Sequence, residues 1–166
     1  MVEYRKSVTV LGIDPGTTRV GYGIISGTRI APVFVASGVI GNAALGAPGR
    51  LLEIHKELKR LIASARPDIV AVEKLFFSKN VKTALSVAEA RGIILLTAAL
   101  ADRRVYEYTP QEIKIALTGN GGAAKIQVAA MAKSLLKITK LPRWDDETDA
   151  IAIALTGLVS AKNAYH

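Results

Sequence analysis

Acidic side chains end two predicted strands in this chain of 166 residues. The run VTVLGI is apolar and β-branched and indicates a strand that ends at Asp14, while the apolar run IVAV indicates a buried strand that ends at Glu73. Open α/β sheets bind their ligands at the carboxyl ends of strands, so the two carboxylates converge if these strands are neighbours. The pattern therefore predicts an acidic site at this edge of a sheet.

Two further acids begin the last predicted helix. Asp146 and Asp149 are three residues apart, which places them on one helix face about one turn from each other. Asp145 shares a face with Asp149 at a spacing of four, so the sequence leaves open whether Asp145 or Asp146 joins the site. Together with the strand-end acids they form a set of oxygen ligands, which Mg²⁺ and Mn²⁺ prefer.

Clustered carboxylates indicate nuclease chemistry. They repel one another and raise each other's pKa unless cations neutralise them. Two divalent ions roughly 3.5–4 Å apart would do so, and would activate a water and stabilise the leaving oxygen of a phosphodiester. Each acid alone has a structural alternative: Asp14 as a turn former, Glu73 as a surface partner of Lys74, and the helix acids as partners of the helix dipole. Only the combination predicts a nuclease.

The composition limits other kinds of site. The chain has no cysteine, which excludes disulfides, thiolate metal sites and cysteine nucleophiles, and only His55 and His166 remain for an imidazole zinc site. A net charge of +8 and a pI near 9.8 favour a polyanionic partner, either nucleic acid or an anionic membrane. Residues 1–10 contain charges and no long apolar run, so we expect no signal or membrane span and a cytoplasmic protein.

The element order predicts a single α/β domain over residues 1–166. Strands are predicted at 8–13, 21–25 and 33–40 with a turn at 26–28, then a helix over 51–62 with Arg50 on its solvated face. A strand at 69–72, a helix over 79–100, a strand at 105–108 and helices from Pro110, Lys125 and Asp146 follow. We therefore expect a mixed five-stranded sheet, three antiparallel strands and then two parallel ones, with helices on both faces.

Four sequence segments follow one another along the chain in the same order as the motifs of a known family. They are GIDPGTTRVGYG at 12–23, VEKLFFSKN at 72–80, TGNGGAAK at 118–125 and DETDAIAIA at 146–154. In register over nearly the whole chain, they resemble the motifs of the RuvC family of Holliday junction resolvases. The resemblance implies an RNase H-like fold and a homodimer. It also implies a Mg²⁺-dependent endonuclease that cuts four-way DNA junctions symmetrically in homologous recombination and DNA repair, with Mn²⁺ as a substitute ion.

The resemblance also implies partners and residue roles. It makes a branch-migration complex of the RuvA and RuvB type an expected partner. We expect no membrane partner. By motif position, the family's catalytic and metal-binding acids match Asp14, Glu73, Asp146 and Asp149. Its basic residues near the scissile phosphate match Lys114 and Lys125, and the aromatic that stacks at the opened junction matches Phe76. The chain departs from the family at Glu147 and Thr148, where small residues are common, and at Lys74, where many relatives are uncharged.

Basic and aromatic residues beside the acids suit DNA. The glycines at 119, 121 and 122 let the backbone approach a phosphate, and Lys125 at the start of the next helix adds a cation. We expect Phe77 to be buried and Phe76 to be exposed beside Lys74 and Lys79, where it would stack on unpaired bases. The alternatives are a flexible loop with a solvated lysine and a phenylalanine in the core.

The helix over 79–100 carries Leu85, Ala88 and Gly92 on one stripe. Small residues allow close approach of helices, and the resemblance assigns this helix to the dimer contact. The alternative is that the stripe packs against the chain's own sheet.

Three other functions fit part of the sequence. GIDPGTT also resembles the first phosphate loop of actin-like sugar and acetate kinases, but those enzymes need two such domains and an adenosine site. A non-catalytic DNA-binding protein on a nuclease fold is the second, although acids without metal weaken contact with phosphates. The third, an RNase H-like nuclease that cuts RNA, differs from a junction resolvase in its substrate.

Overall fold

A computed structural model describes residues 7–41, 44–74 and 81–160, with the backbone alone for Val81 and Lys82. Its strands are β1 (Val8–Asp14), β2 (Val20–Thr28), β3 (Ala31–Ile40), β4 (Ile69–Glu73) and β5 (Arg104–Tyr108). Its helices are α1 (Ala47–Ala65), α2 (Val81–Leu100), α3 (Pro110–Thr118), α4 (Lys125–Leu136) and α5 (Asp145–Ser160).

The five strands form one mixed sheet in the order β3-β2-β1-β4-β5. β2 is antiparallel to both β1 and β3, whereas β4 is parallel to β1 and β5 is parallel to β4. This confirms the predicted sheet of three antiparallel and two parallel strands. The two parallel crossovers bring the carboxyl ends of β1, β4 and β5 to the same edge.

Helices cover both faces of the sheet, as predicted. Along β1 the side chains alternate: Val10 packs into a core that includes α5, and Leu11 and Ile13 pack into a second core with α1 and α2. The central strands are therefore buried on both sides, which explains their continuous apolar runs.

The turn between β2 and β3 lies three residues later than predicted. Ser26, Gly27 and Thr28 continue β2, and the chain turns at residues 29–30. Gly27 pairs with Val8 on one side and Pro32 on the other, with a φ of +118° that an L side chain rarely adopts. The polar, glycine-containing composition of residues 26–28 therefore belongs to the paired end of β2 and does not mark the turn.

The end signals of α1 and α3 agree with the sequence. α1 ends at Arg66, which caps it in the left-handed conformation just before Pro67. The Thr109 hydroxyl accepts the backbone N–H of Glu112, and the Glu112 carboxylate accepts the N–H of Thr109 at 2.7 Å, which is the predicted start of α3.

Candidate active site

The backbone register places the two strand-end acids side by side. β1 and β4 pair in parallel with Ile13 beside Val72, so Asp14 and Glu73 follow at adjacent positions on the carboxyl edge. The next backbone N–H, that of Lys74, donates to the Tyr108 carbonyl at 2.8 Å and fixes the end of β4. The strand end that carries Glu73 is therefore hydrogen-bonded to β1 on one side and to the end of β5 on the other.

Glycines bring α5 against the same strands. A Cβ added at Gly21 would clash with the carbonyl oxygen of Asp146, and one added at Gly12 would clash with that of Ala150. Because these positions lack side chains, the helix backbone touches the sheet and its first turns pass over the end of β1. Asp146 and Asp149 are thereby carried to Asp14.

Burial and mutual repulsion perturb the acids. The pKa of Asp14 rises from 3.8 to about 7, first because the carboxyl is buried and then because Glu73, Asp149 and Asp146 surround it. Burial also raises the pKa of Glu73 and of Asp149, with Asp149 adding repulsion at Glu73. The cluster therefore gains from added positive charge.

Lys125 supplies part of that charge. It is the first residue of α4, and its ammonium lies 2.7 Å from the Asp149 carboxylate and 3.8 Å from that of Asp145. Burial lowers the pKa of Lys125, but the hydrogen bond to Asp149 and the surrounding acids outweigh this and raise it. The side chain is thus held as a cation against the acids.

The exposure of Asp145 and Asp146 bears on the choice that the sequence left open. The side chain of Asp145 is 88% exposed, whereas that of Asp146 is 29% exposed and its charge acts on Asp14. Of the two, Asp146 is the one that faces the strand-end acids.

The donor set fits a hard divalent cation. It consists of carboxylate oxygens, and the pKa of Asp14 is raised by burial first and then by repulsion from neighbouring acids, both of which a bound cation would offset. As placed in the described part of the chain, no three acidic or histidine side chains enclose a metal position. Arg19, at 3.1 Å from Asp146, and Lys125 instead hold the two aspartates of α5.

Known proteins share this arrangement of elements. The family model described as crossover junction endodeoxyribonuclease RuvC matches residues 10–157. The chain belongs to the RuvC family.

Two relatives with that description come from Brevibacillus brevis and Caldicellulosiruptor saccharolyticus. The first is 47% identical over 149 residues, 89% of each chain, and the second 42% identical over 159 residues, 95% of this chain and 96% of the relative. The structure is similar to that of Thermus thermophilus RuvC in complex with a Holliday junction substrate, with a TM-score of 0.88 and 35% identity over 93% of this chain and 94% of the other. The predicted family, the RNase H-like fold and the enzyme class are confirmed.

The other residues expected at a RuvC site are not held in the acid cluster by ion pairs, or lie outside the described residues. Lys74 is exposed directly after Glu73, and Lys114 is half-buried on α3, with no ion pair to an acid among the described side chains. Phe76 and Lys79 fall within residues 75–80 and lie outside the described residues, as does Phe77.

In the loop at residues 119–124, before Lys125, each of the three glycines has a different structural role. Gly119 ends α3 with a φ of +74°, and a Cβ at Gly121 would press on the Gln111 side chain at 2.9 Å. Gly122 donates its N–H to the Asn120 side chain at 2.9 Å. The loop is therefore built by internal contacts that fix where α4 and Lys125 begin.

Arg50 was expected on the solvated face of α1, and that expectation is wrong. Its side chain is only 14% exposed and donates to the Thr17 carbonyl, and to the Ser86 hydroxyl at 2.7 Å. Arg50 therefore ties the loop after Asp14 to α2. Spacing could have revealed this, because Arg50 lies four residues before Ile54 and eight before Leu58, both buried.

Proposed function

We propose that this protein is a Mg²⁺-dependent endonuclease that resolves four-way DNA junctions by symmetric paired nicks, in homologous recombination and DNA repair. The observation that carries the proposal is the convergence of three acids, Glu73 from a strand end and Asp146 and Asp149 from one helix, on the partly buried carboxyl of Asp14. Membership of the RuvC family and the likeness to a relative bound to a Holliday junction substrate support the substrate class.

The acids would hold the metal. The expected ligands are Asp14, Glu73, Asp146 and Asp149. Two bound ions would activate a water and stabilise the leaving oxygen of the phosphodiester. The chain itself keeps these carboxylates at a fixed edge of the sheet and partly away from bulk water, which strengthens their attraction for cations.

The cations of the chain would act on the phosphate. Lys125 stands at the rim of the acid cluster and is still exposed, so its ammonium can contact a DNA phosphate while it remains close to Asp149. We assign a supporting role to Lys114 and Lys74, and base stacking to Phe76 with a phosphate contact from Lys79. The last two assignments depend on the family match alone.

A homodimer would explain paired nicks. α2 buries Ala90, Ile94 and Ala98 in the core with α1 and the sheet. Its other side exposes a largely apolar face of Leu85, Ala88, Gly92, Leu96 and Leu100, interrupted by Glu89, which pairs with Arg50. A two-fold dimer through this face would carry two active sites, which matches the two-fold symmetry of a four-way junction. A branch-migration partner of the RuvA and RuvB type belongs to the same proposal.

α2 has a second interpretation. Its segment Thr83–Leu100 is the one stretch of the described chain long and apolar enough to cross a membrane, and 22% of that segment is buried. Its inner face packs in the core, so we assign the outer face to a second copy of the chain rather than to lipid.

Cleavage of a labelled mobile four-way junction tests the proposal. The reactions contain Mg²⁺ or EDTA, with a linear duplex and structured RNA as competing substrates. We expect symmetric, Mg²⁺-dependent nicks in the junction alone. Asp14→Asn should abolish cutting and keep junction binding, because it removes a ligand charge without removing a cationic contact.

The two neighbouring aspartates give a matched pair of variants. Asp146→Asn should lower cutting at least ~100-fold, the scale of a lost charge-stabilising group, while the exposed Asp145→Asn stays within a few-fold of wild type. Binding without cutting in either Mg²⁺ or Mn²⁺ would favour a scaffold, and equal cutting of RNA would favour an RNA nuclease. ATP binding would reopen the kinase interpretation.

A further inference from the structure

Arg19 joins the active site to an aromatic residue outside it. It lies in the loop between β1 and β2, and its Nε is 3.1 Å from Oδ2 of Asp146. The same guanidinium lies over the ring of Trp144, 4.4 Å from its centroid. One side chain therefore contacts both an expected metal ligand and the residue that precedes α5.

Trp144 holds the start of α5. Its carbonyl accepts the backbone N–H groups of Glu147 at 3.1 Å and Thr148 at 3.4 Å. The guanidinium of Arg143 also lies against its ring, 4.9 Å from the centroid. Arg19 and Arg143 thus share one partner, but among the described ion pairs only Arg19 reaches Asp146.

We propose that Arg19 is a built-in counterion of Asp146 that competes with the divalent cation for this carboxylate, and so sets the metal affinity of the site. The proposal rests on the proposed function. The guanidinium occupies a carboxylate oxygen that a cation would use, and two positive groups on one oxygen repel each other. The cation must therefore displace or share the contact that Arg19 makes.

The geometry allows that exchange at small cost. Arg19 and Asp146 are both partly exposed, and a pair of this kind contributes modestly to stability. Contact with the Trp144 ring gives the guanidinium a place to remain when Asp146 turns to a metal. Arg19 is thus a positioning residue that acts through Asp146.

Mg²⁺ titration without DNA tests this proposal by two readouts. Calorimetry gives the affinity of wild type, Arg19→Gln and Arg143→Gln. Emission of Trp144, the one tryptophan in the sequence, reports the position of the guanidinium. Arg143→Gln is the matched control, because it removes the same charge from the same ring without touching Asp146. Thermal unfolding without metal checks that each variant is folded.

We expect Arg19→Gln to bind Mg²⁺ roughly two- to five-fold more tightly than Arg143→Gln, as expected for loss of a competing exposed pair. Mg²⁺ should change Trp144 emission in wild type and Arg143→Gln, and change it much less in Arg19→Gln. Equal or weaker affinity in Arg19→Gln, or an equal emission change in all three proteins, would overturn this proposal alone. An absence of Mg²⁺ binding by wild type would instead contradict the metal requirement of the proposed function.

Discussion

The carboxyl of Asp14 is at once the most perturbed group of the site and a source of instability. Its pKa is about 7 in the folded protein against an ordinary 3.8, because burial and three neighbouring acids oppose its ionisation. A function that needs this carboxylate ionised therefore works against folding until a cation arrives. The active site carries strain that the rest of the fold must offset.

The stability of the metal-free protein should fall as pH rises from about 4 to 7. In that range the folded state retains a proton on Asp14 that the unfolded chain has lost, so deprotonation favours unfolding. Asp14→Asn removes this effect and should raise Tm at pH 8 by at least ~2–4 °C, the shift expected for about 1 kcal/mol in a protein of this size. Thermal unfolding followed by circular dichroism from pH 4 to 8 measures it.

Two controls accompany the pH series. Asp145→Asn changes the same charge at an exposed position and removes only a lesser repulsion at Asp149, so it should alter the difference between pH 4 and pH 8 much less than Asp14→Asn does. Mg²⁺ should stabilise wild type more at pH 8 than at pH 5, because it binds the ionised acids. Parallel pH curves for wild type and Asp14→Asn would show that the carboxyl is not perturbed as described.

Among the elements, α5 depends on the glycines beneath it. Gly12 and Gly21 face its backbone, and a Cβ at Gly23 would lie 2.8 Å from the backbone nitrogen of Ile151. From the other side, a Cβ at Gly157 would lie 2.9 Å from Val10. The helix that carries two of the acids is thus held against the sheet by close backbone contact at these glycines, in addition to the packing of its isoleucine and leucine side chains in the core.

Gly21→Ala should misplace Asp146. The added methyl group clashes with backbone, which cannot rotate away, so we expect a loss of ~1–3 kcal/mol in stability from overpacking. Junction cutting should fall together with Mg²⁺ affinity, as α5 moves off the sheet. Denaturant unfolding and the cleavage assay measure the two effects.

Gly49→Ala is the control for that substitution. Gly49 lies in the first turns of α1, where a Cβ meets only the Leu45 side chain at an ordinary 3.5 Å. Alanine in a helix should hold or raise stability by about 0.5–1 kcal/mol and leave cutting unchanged. If Gly21→Ala behaved like Gly49→Ala, close docking of α5 would not be what positions Asp146.

The sequence predicted the elements that carry the acids, because strand ends and helix starts are marked by local residue types. Asp14, Glu73 and the start of α3 were found in this way. The docking of α5 was not predicted, since a glycine in a strand does not reveal which backbone approaches it. Arg50 was assigned to the solvated face because it is charged, although its spacing from Ile54 and Leu58 places it on the buried side of α1. Its partners, Thr17 and Ser86, are distant in sequence, so local residue types do not reveal them.

At the scale of the whole molecule, charge and apolar surface point to two different partners. The chain has a net charge of +8 although four of its acids meet at the candidate active site, so its excess positive charge lies outside that cluster and favours a polyanionic partner. The apolar face of α2 needs a partner of another kind, because exposed leucines gain most from burial against apolar surface. In the proposed function, DNA would satisfy the first demand and a second copy of the chain would satisfy the other.

Leu96→Arg should break the proposed dimer. Leu96 is 53% exposed on α2, and an arginine there would place a charged side chain among the apolar residues of a two-fold interface. We expect wild type to sediment at twice the chain mass of 17.6 kDa and Leu96→Arg to sediment at the chain mass with its Tm within a few degrees. Paired nicking should be lost as well, because one protomer supplies one active site.

Leu52→Arg separates this effect from a general response to a new surface charge. Leu52 is 52% exposed on α1, so the substitution has the same chemistry and exposure on a different helix, and the dimer should persist. A monomeric wild type that still makes symmetric nicks would contradict a dimer through α2. Flotation with lipid vesicles tests the membrane alternative, which the apolar length of α2 raises. If wild type and Leu52→Arg floated with the vesicles and Leu96→Arg did not, this face would bind a membrane instead.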